Sequence, residues 1–156
     1  MEKISKEIQN LALSDTDGNP IKLADFAGKY IVLYFYPKDN TPGCTAEACS
    51  FRNANVDIVK SGAVVLGVSK DSVVSHQKFT NKYQLNFPLI ADTEAKLARA
   101  FGVWKPKKFM GREFLGILRT TFIIGPDGTI LKRFDNVKPQ DHAEEITREL
   151  SLIKSN

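Results

Sequence analysis

The chain contains very little cysteine, with only Cys44 and Cys49 in a total of 156 residues. Two cysteines in a chain of this length cannot form the dense disulfide framework that stabilises small secreted proteins. The N-terminal segment MEKISKEIQN is charged and lacks the apolar core of a secretory signal. No apolar run approaches the length of a membrane span. We therefore expect a cytoplasmic protein that makes no membrane contact.

Sequence motifs for cofactors are also missing. The chain has neither a G-x-G-x-x-G dinucleotide fingerprint nor a P-loop, so we expect neither a nucleotide nor a flavin. Its two histidines, His76 and His142, lie far from each other and from both cysteines. No zinc-ligand spacing is present, so we expect no metal and no other cofactor. Both histidines are expected on the surface or at helix caps.

Strong charge of one sign is absent as well. The net charge of +4 comes from 22 basic and 18 acidic residues, which are mixed along the chain. The densest basic patch contains four residues: Lys105, Lys107, Lys108 and Arg112. Pro106 and Gly111 interrupt this patch, and no aromatic ladder accompanies it. We therefore expect a solvated loop there and no nucleic-acid partner.

The overall composition is that of an ordinary globular protein. The chain is 42% hydrophobic and 26% charged, which is the balance of a globular protein rather than a disordered one. A length of 156 residues suits one domain with one core. We therefore expect a single domain over residues 1–156.

The first half of the chain alternates strand and helix. Apolar runs at residues 30–36 and 63–68 predict strands that are covered on both faces of a sheet. Residues 45–60 between them predict a helix, which Gly62 ends. This βαβ order requires a right-handed crossover and a parallel strand pair. Capping residues at 69–72 then precede a predicted helix over residues 73–83.

The second half is expected to add antiparallel strands. Residues 85–91 predict a short strand, which Pro88 breaks or confines to an edge, and residues 94–101 predict a helix. Residues 104–116 are expected to be irregular. The strongest hairpin signal follows, with strands at 117–124 and 129–134 around a Gly-Pro-Asp-Gly turn.

An amphipathic helix over residues 140–153 closes the chain, with Ile146, Leu150 and Ile153 on one stripe. Together these elements predict an α/β fold with a mixed central β-sheet and helices on both faces.

Cys44 lies where a Pro- and Gly-containing loop meets a predicted helix. The apolar strand stops at Pro37, and the loop continues to Gly43. Free backbone N–H groups and the positive end of the helix dipole at such a junction favour a thiolate over a thiol. The alternative is that Cys44 and Cys49 are small core residues, which is the usual state of buried cysteines.

The spacing of the two cysteines restricts how they can bond. Residues five apart in a regular helix have Cα atoms about 8–9 Å apart. A disulfide needs Cα atoms about 4.4–6.8 Å apart. If Cys44 and Cys49 bond, the helix must therefore unwind locally, which suggests a transient bond rather than a structural one.

Pro37, Thr41 and Cys44 form the pattern P-x-x-x-T-x-x-C. This pattern resembles the active-site motif of the peroxiredoxins, which are thiol peroxidases with a thioredoxin-like fold. The fuller string YPKDNTPGCTAEAC, with its C-x-x-x-x-C, is similar to the Q-type branch, also called bacterioferritin comigratory protein. The resemblance extends from about residue 5 to about 153, and Arg119 in the string RTTF matches the active-site arginine of the family.

The resemblance implies a reaction sequence. Cys44 would attack a hydroperoxide as a thiolate and become a sulfenic acid. Cys49 would then form a transient disulfide with Cys44, and an external dithiol would reduce it. The family points to thioredoxin or a glutaredoxin-like protein as reductant, to hydrogen peroxide and organic hydroperoxides as substrates, and to a monomer.

Four further residues have expected roles with alternatives beside them. Thr41 can offer its hydroxyl to the thiolate or the peroxide, or it is an ordinary turn or cap residue. Pro37 shapes the loop and shields Cys44, or simply ends the strand. Arg119 is expected on the strand 117–124, where it needs a polar partner. That partner is the reacting thiolate or Glu47, which shares a helical face with Cys44 and could orient Arg119.

Two other functions compete with the peroxidase. A general thiol–disulfide oxidoreductase usually carries C-x-x-C, whereas this chain has C-x-x-x-x-C. A redox sensor or holdase would expose a new surface when the helix unwinds. Peroxide-dependent turnover with a thioredoxin system would favour the peroxidase over both of these alternatives.

Overall fold

A computed structural model describes residues 2–155. Helices alternate with strands in the first half of the chain, and strands dominate the second half. The helices are α1 (Lys6–Gln9), α2 (Pro42–Lys60), α3 (Val73–Tyr83), α4 (Lys96–Ala100) and α5 (His142–Lys154), with a 3-10 helix at Leu23–Phe26. The strands are β1 (Leu13–Ser14), β2 (Pro20–Ile21), β3 (Tyr30–Phe35), β4 (Ala63–Ser69), β5 (Leu89–Ala91), β6 (Trp104–Phe109), β7 (Arg112–Ile117), β8 (Thr120–Ile124) and β9 (Ile130–Phe134).

Seven of these strands form one mixed sheet in the order β2-β1-β5-β4-β3-β8-β9. The pairs β3–β4 and β4–β5 are parallel, as the βαβ order requires. The pairs β3–β8 and β8–β9 are antiparallel, so the predicted late hairpin joins the same sheet. The predicted mixed sheet is confirmed, and β3 lies inside it between a parallel and an antiparallel neighbour.

Alternating side chains of β3 enter two separate hydrophobic cores, one on each face of the sheet. Leu33 and Phe35 face one core, which α4 and the 3-10 helix cover with side chains such as Leu97. Tyr34 faces the other core, where Phe51 of α2 stacks on its ring with centroids 4.7 Å apart. The predicted arrangement of helices on both faces is therefore confirmed.

The expectation of an irregular segment over residues 104–116 is wrong. β6 and β7 pair as an antiparallel ribbon from Trp104–Ile117 to Phe109–Arg112. Met110 and Gly111 form the two-residue turn, and both have positive φ, at 52° and 77°. Two positive φ values in a two-residue loop match the twist of a hairpin. Gly111 therefore does not interrupt the segment but allows the hairpin turn, because glycine adopts positive φ without strain.

Two other boundaries differ from expectation. Ile117 ends β7 and β8 begins at Thr120, so Arg119 lies in the short connection and not within a strand. β5 begins after Pro88 and pairs with both β1 and β4, so it is an interior strand rather than an edge. The missing N–H of Pro88 is tolerated because the ladder starts beyond it.

The expectation of surface histidines is also wrong, because His76 and His142 are both buried. His142 does begin α5, but its ring lies inside the fold and contacts Thr121 at 2.7 Å and Glu145 at 3.0 Å. Polar partners within the fold satisfy both ring nitrogens, which makes burial of the imidazole tolerable. Among the helices of residues 2–155, none is long and apolar enough to cross a membrane.

Candidate active site

Cys44 lies in the first turn of α2. Thr41 is the N-cap residue, and Pro42 occupies the first helical position, where its missing N–H costs nothing. The first intrahelical hydrogen bond runs from Thr45 N–H to the Thr41 carbonyl at 2.8 Å. Cys44 is buried, and it faces the end of the helix where free N–H groups and the dipole favour an anion. The expected loop–helix junction is therefore present.

Arg119 brings a guanidinium to this helix end. Its Nη2 donates to Cys44 Sγ at 3.3 Å, and its Nη1 donates to Glu47 Oε1 at 2.8 Å. Thr120, the next residue, pairs with Phe35 at the end of β3. Because β3 leads into the loop before Cys44, the β3–β8 register places Arg119 beside the sulfur. Both partners anticipated for Arg119 are in contact with it.

Glu47 is a buried acid with an incomplete set of partners. Its side chain is 0% exposed, and its second oxygen, Oε2, has no hydrogen-bond partner within residues 2–155. Burial raises the pKa of Glu47 from 4.5 to about 7, although Arg119 acts in the opposite direction. Burial lowers the pKa of Arg119, but Glu47 and Cys44 raise it more, so this guanidinium stays charged.

The two acidic groups therefore compete for one cation. Arg119 can neutralise a Cys44 thiolate or a Glu47 carboxylate at short range, and a second negative charge in the same buried pocket is unfavourable. Burial favours the protonated form of Glu47, whose Oε1 can still accept a hydrogen bond from Arg119. Cys44 Sγ is the other group in contact with the guanidinium.

Lys107 is a further cation that sequence reasoning assigned to a solvated patch. Its Nζ donates to the Ile117 carbonyl at 3.1 Å, two residues before Arg119. Burial and the nearby Arg119 lower the pKa of Lys107, while Cys44 acts in the opposite direction. The partial burial of Lys107 follows from the β6–β7 pairing. Side chains alternate between the two faces of this ribbon, so Lys107 points inward while its neighbour Lys108 is exposed.

The remaining residues of the motif, Thr41 and Pro37, lie in the loop before α2. Thr41 donates its hydroxyl to the Lys38 carbonyl at 2.9 Å and makes no side-chain cap bond. In the structure its proton is thus directed into the loop rather than toward Cys44. Pro37 is half-buried at the point where β3 has ended. Both residues lie in the segment between β3 and the first turn of α2.

Cys49 lies on the same unbroken helix as Cys44, and both thiols are free. It is half-buried and lines a groove of about 740 Å³ between α2 and α5. An intact helix keeps the two Cα atoms about 8–9 Å apart, outside disulfide range. The structure therefore shows the reduced arrangement, in which any bond between these cysteines requires α2 to open.

Comparison with known proteins gives consistent results. Residues 4–133 match the model of the AhpC/TSA family. The peroxiredoxin Bcp of Bacillus subtilis is 48% identical over 148 residues, covering 95% of this chain and 94% of the relative.

Solved structures agree with these sequence matches. Peroxiredoxin Q from Xanthomonas campestris superposes with a TM-score of 0.91 at 40% identity, covering 96% of this chain and 95% of the other. A structure addressing the alkyl peroxide reduction activity of the bacterioferritin comigratory protein from the same organism gives 0.91 at 39% identity, covering 96% of each chain.

The buried Glu47 predicts a pH-dependent stability. Its pKa is 4.5 when exposed and about 7 in the fold. The folded state therefore holds this proton more tightly, and the resulting stability is present below pH 4.5 and lost as pH rises through 7. Glutamine resembles the protonated acid and does not titrate. The free energy of unfolding of Glu47→Gln, relative to wild type, should rise by on the order of 2 kcal/mol between pH 5 and 8.

Urea unfolding at several pH values measures this difference. The matched control is Glu113→Gln, an exposed glutamate on β7, which should leave the pH dependence unchanged. Parallel stability curves for wild type and Glu47→Gln would show that the carboxyl titrates normally in the fold.

Proposed function

Because the chain belongs to the AhpC/TSA family of peroxiredoxins, which are thiol-dependent peroxidases, we propose that Cys44 is the residue that attacks the peroxide. The observation that carries this proposal is the 3.3 Å contact between Arg119 Nη2 and Cys44 Sγ at the start of α2. A guanidinium and a helix N-terminus both favour the thiolate, which is the nucleophilic form.

In the proposed reaction, the sulfur of Cys44 attacks one peroxide oxygen. The O–O bond breaks, Cys44 becomes a sulfenic acid, and the other oxygen leaves and takes a proton to become water or an alcohol. The Arg119 guanidinium, held by Glu47 at 2.8 Å, stabilises negative charge as it moves from sulfur to the departing oxygen. Thr41 and Pro37 border the space where the peroxide binds, and Pro37 limits the access of water.

Cys49 completes the cycle in this proposal. The N-terminal turns of α2 unwind, the Cys49 thiolate attacks the sulfenic sulfur, and water leaves as the Cys44–Cys49 disulfide forms. A dithiol then reduces the disulfide by exchange. Thioredoxin or a glutaredoxin-like protein fits this step, because each presents two thiols in sequence. Dithiol reductants work in reducing compartments, so we propose a cytoplasmic site of action.

The substrate class and the assembly complete the proposal. The Xanthomonas campestris bacterioferritin comigratory protein has been studied for alkyl peroxide reduction, which supports organic hydroperoxides beside hydrogen peroxide as substrates here. One continuous sheet runs from β2 to β9, which supports a single domain over the whole chain. We propose that this domain acts as a monomer, which sedimentation at micromolar concentration tests directly.

Replacement of Cys44 by serine should abolish peroxide turnover, because a hydroxyl near neutral pH is a far poorer nucleophile than a thiolate. The assay couples NADPH oxidation to thioredoxin reductase and thioredoxin, with and without hydroperoxide. Wild type should consume NADPH only when peroxide is present. Insulin reduction without peroxide would instead identify a general thiol–disulfide oxidoreductase, and substantial peroxide turnover in Cys44→Ser would reject this cysteine.

Replacement of Arg119 by alanine should slow the reaction with peroxide by about 10²–10³, the cost of removing one charge-stabilising donor. Lysine at this position should restore only part of the rate, since it cannot contact Cys44 and Glu47 with a planar fork. Stopped-flow measurement of the second-order rate constant is the test. Arg112→Ala, at the exposed start of β7, is the matched control and should react normally. An undiminished rate in Arg119→Ala contradicts the proposed role.

Oxidation should open the N-terminal part of α2, because Cys44 and Cys49 cannot bond within an intact helix. Amides of residues 44–50 should exchange faster with solvent in the disulfide form than in the reduced form. Phe51, which is fully buried against Tyr34, should mark the end of the opened segment. The strands β3 and β4 should remain protected in both forms.

Hydrogen exchange measured by mass spectrometry on both redox forms checks this expectation. The control is Cys49→Ser, which should react once with peroxide, form no internal disulfide and over-oxidise more readily at Cys44. If residues 44–50 are equally protected in a form with a verified Cys44–Cys49 bond, the unwinding mechanism is wrong.

A further inference from the structure

A buried Asp–His pair links the loop that joins β3 to α2 with α3, away from the contacts of Cys44. The side chains of Asp39 and His76 are 3% and 0% exposed, and Asp39 Oδ2 lies 2.7 Å from His76 Nδ1. Ser75 Oγ donates to the same carboxylate oxygen at 2.8 Å. Tyr36 donates its hydroxyl to Asp39 Oδ1 at 2.5 Å, so the loop carboxylate receives bonds from the residue that follows β3 and from α3.

The backbone of the loop is tied down at the same residue. The Asp39 N–H donates to Asp71 Oδ2 at 2.8 Å, and Ser69 Oγ donates to that oxygen at 2.7 Å. Asp71 lies in the connection between β4 and α3. A single residue of the loop is therefore held through its main chain and its side chain by two neighbouring parts of the fold.

The hydrogen bonds of His76 show that this pair contains a shared proton. His76 Nε2 lies 3.0 Å from the Ile90 carbonyl, which can only accept, so Nε2 carries a hydrogen. Nδ1 then faces a carboxylate oxygen of Asp39, and a contact of this length requires a proton between them. Whether that proton is on the imidazole or on the acid, the pair as a whole is neutral, which is compatible with burial.

Hydrogen bonds already occupy several of the atoms that a metal ion would need in this cluster. Oxygen and nitrogen atoms of Asp39, Asp71 and His76 lie within 4.8 Å of one another, a spacing that a cation could bridge. However, Asp39 Oδ2 already accepts from Ser75 and pairs with His76, and Asp71 Oδ2 already accepts two hydrogen bonds. A cation would have to displace these donors, so hydrogen bonding explains the cluster better.

The anchored loop leads directly to Cys44. Asp39 lies two residues before Thr41, the N-cap of α2, and Thr41 Oγ1 bonds back to the Lys38 carbonyl at 2.9 Å. The segment between β3 and α2 thus has an internal hydrogen bond, from Thr41 to Lys38, and is held to the rest of the fold through Asp39. Any displacement of this segment moves the first turn of α2 and the sulfur relative to Arg119. Displacements of about 1 Å at a reacting centre can cost about 100-fold in rate.

We infer that Asp39 and His76 are positioning residues, which hold the loop so that α2 presents Cys44 to Arg119. They also keep this loop in place while α2 unwinds for the reaction of Cys49. This inference rests on the proposed role of Cys44 as the attacking residue. The pair touches neither the sulfur nor the peroxide and acts only through the loop.

Two variants of His76 separate positioning from general packing. Asparagine retains a donor at the place of Nδ1, facing Asp39, whereas glutamine retains a donor at the place of Nε2, facing Ile90. The second-order rate constant with hydrogen peroxide should fall at least about tenfold in His76→Gln, because a charge-assisted bond to the loop is lost. His76→Asn should remain within about threefold of wild type, since the Asp39 contact is kept.

Hydrogen exchange on the reduced proteins provides a second measurement that needs no peroxide. Amides of residues 38–41 should exchange faster in His76→Gln than in His76→Asn, while β3 and β4 stay protected. Equal losses of rate and protection in the two variants would show that His76 serves only packing, and wild-type behaviour of His76→Gln would likewise overturn the inference. If Cys44 does not react with peroxide at all, the proposed function fails, and the exchange data still decide on the pair.

A milder variant covers the case in which both His76 substitutions prevent folding. Ser75→Ala removes the 2.8 Å donor to Asp39 and should raise exchange at residues 38–41. The control is Ser72→Ala. Ser72 Oγ accepts from Ser75 N–H at 3.1 Å as the N-cap of the same helix, and its loss should leave the loop amides protected. Unchanged loop exchange in Ser75→Ala, or equal exchange in the two serine variants, would overturn the inference.

Discussion

The geometry of the site depends on one guanidinium that serves two acids. Arg119 contacts Cys44 Sγ at 3.3 Å and Glu47 Oε1 at 2.8 Å, and both acids come from the first two turns of α2. A cation in such a protected position can stabilise only one neighbouring negative charge well. Burial raises the pKa of Glu47 to about 7, so this carboxyl is not fully ionised at neutral pH, and Cys44 Sγ is the other contact of the guanidinium. A cation beside the sulfur is what a thiol peroxidase needs before the peroxide arrives.

The rest of the fold holds that contact in place from three directions. The β3–β8 register sets the position of Arg119, since Thr120 pairs with Phe35 at the end of β3. The core between α2 and the sheet, where Phe51 stacks on Tyr34, keeps the body of the helix packed. The loop between β3 and α2 is tied through Asp39 to α3. In the proposed cycle, the N-terminal turns of α2 unwind between these supports while the sheet stays intact.

Sequence reasoning was reliable where local chemistry determines structure. The buried strands, the long helix after the proline loop and the Gly-Pro-Asp-Gly hairpin are all present. These elements are predictable because the spacing of apolar residues and the choice of turn residues act over only a few positions in the sequence. It failed at residues 104–116, where Met110 and Gly111 make a tight hairpin turn that resembled a break. It also placed Arg119 within a strand and both histidines at the surface or at helix caps, whereas both rings are buried. Burial of a histidine depends on distant partners such as Asp39 or Thr121, which no local pattern reveals.

The sequence by itself determined the class of chemistry. The spacing of Pro37, Thr41 and Cys44, and the second cysteine five positions later, predict a reactive thiol at a helix start and a partner that can bond to it only if the helix unwinds. Only the tertiary structure showed that Arg119 contacts both the sulfur and Glu47, and that His76 pairs with Asp39. Arg119 reaches Cys44 across 75 positions and His76 reaches Asp39 across 37. Such pairs form because sheet register and core packing bring distant segments together, whereas sequence patterns report interactions only between near neighbours.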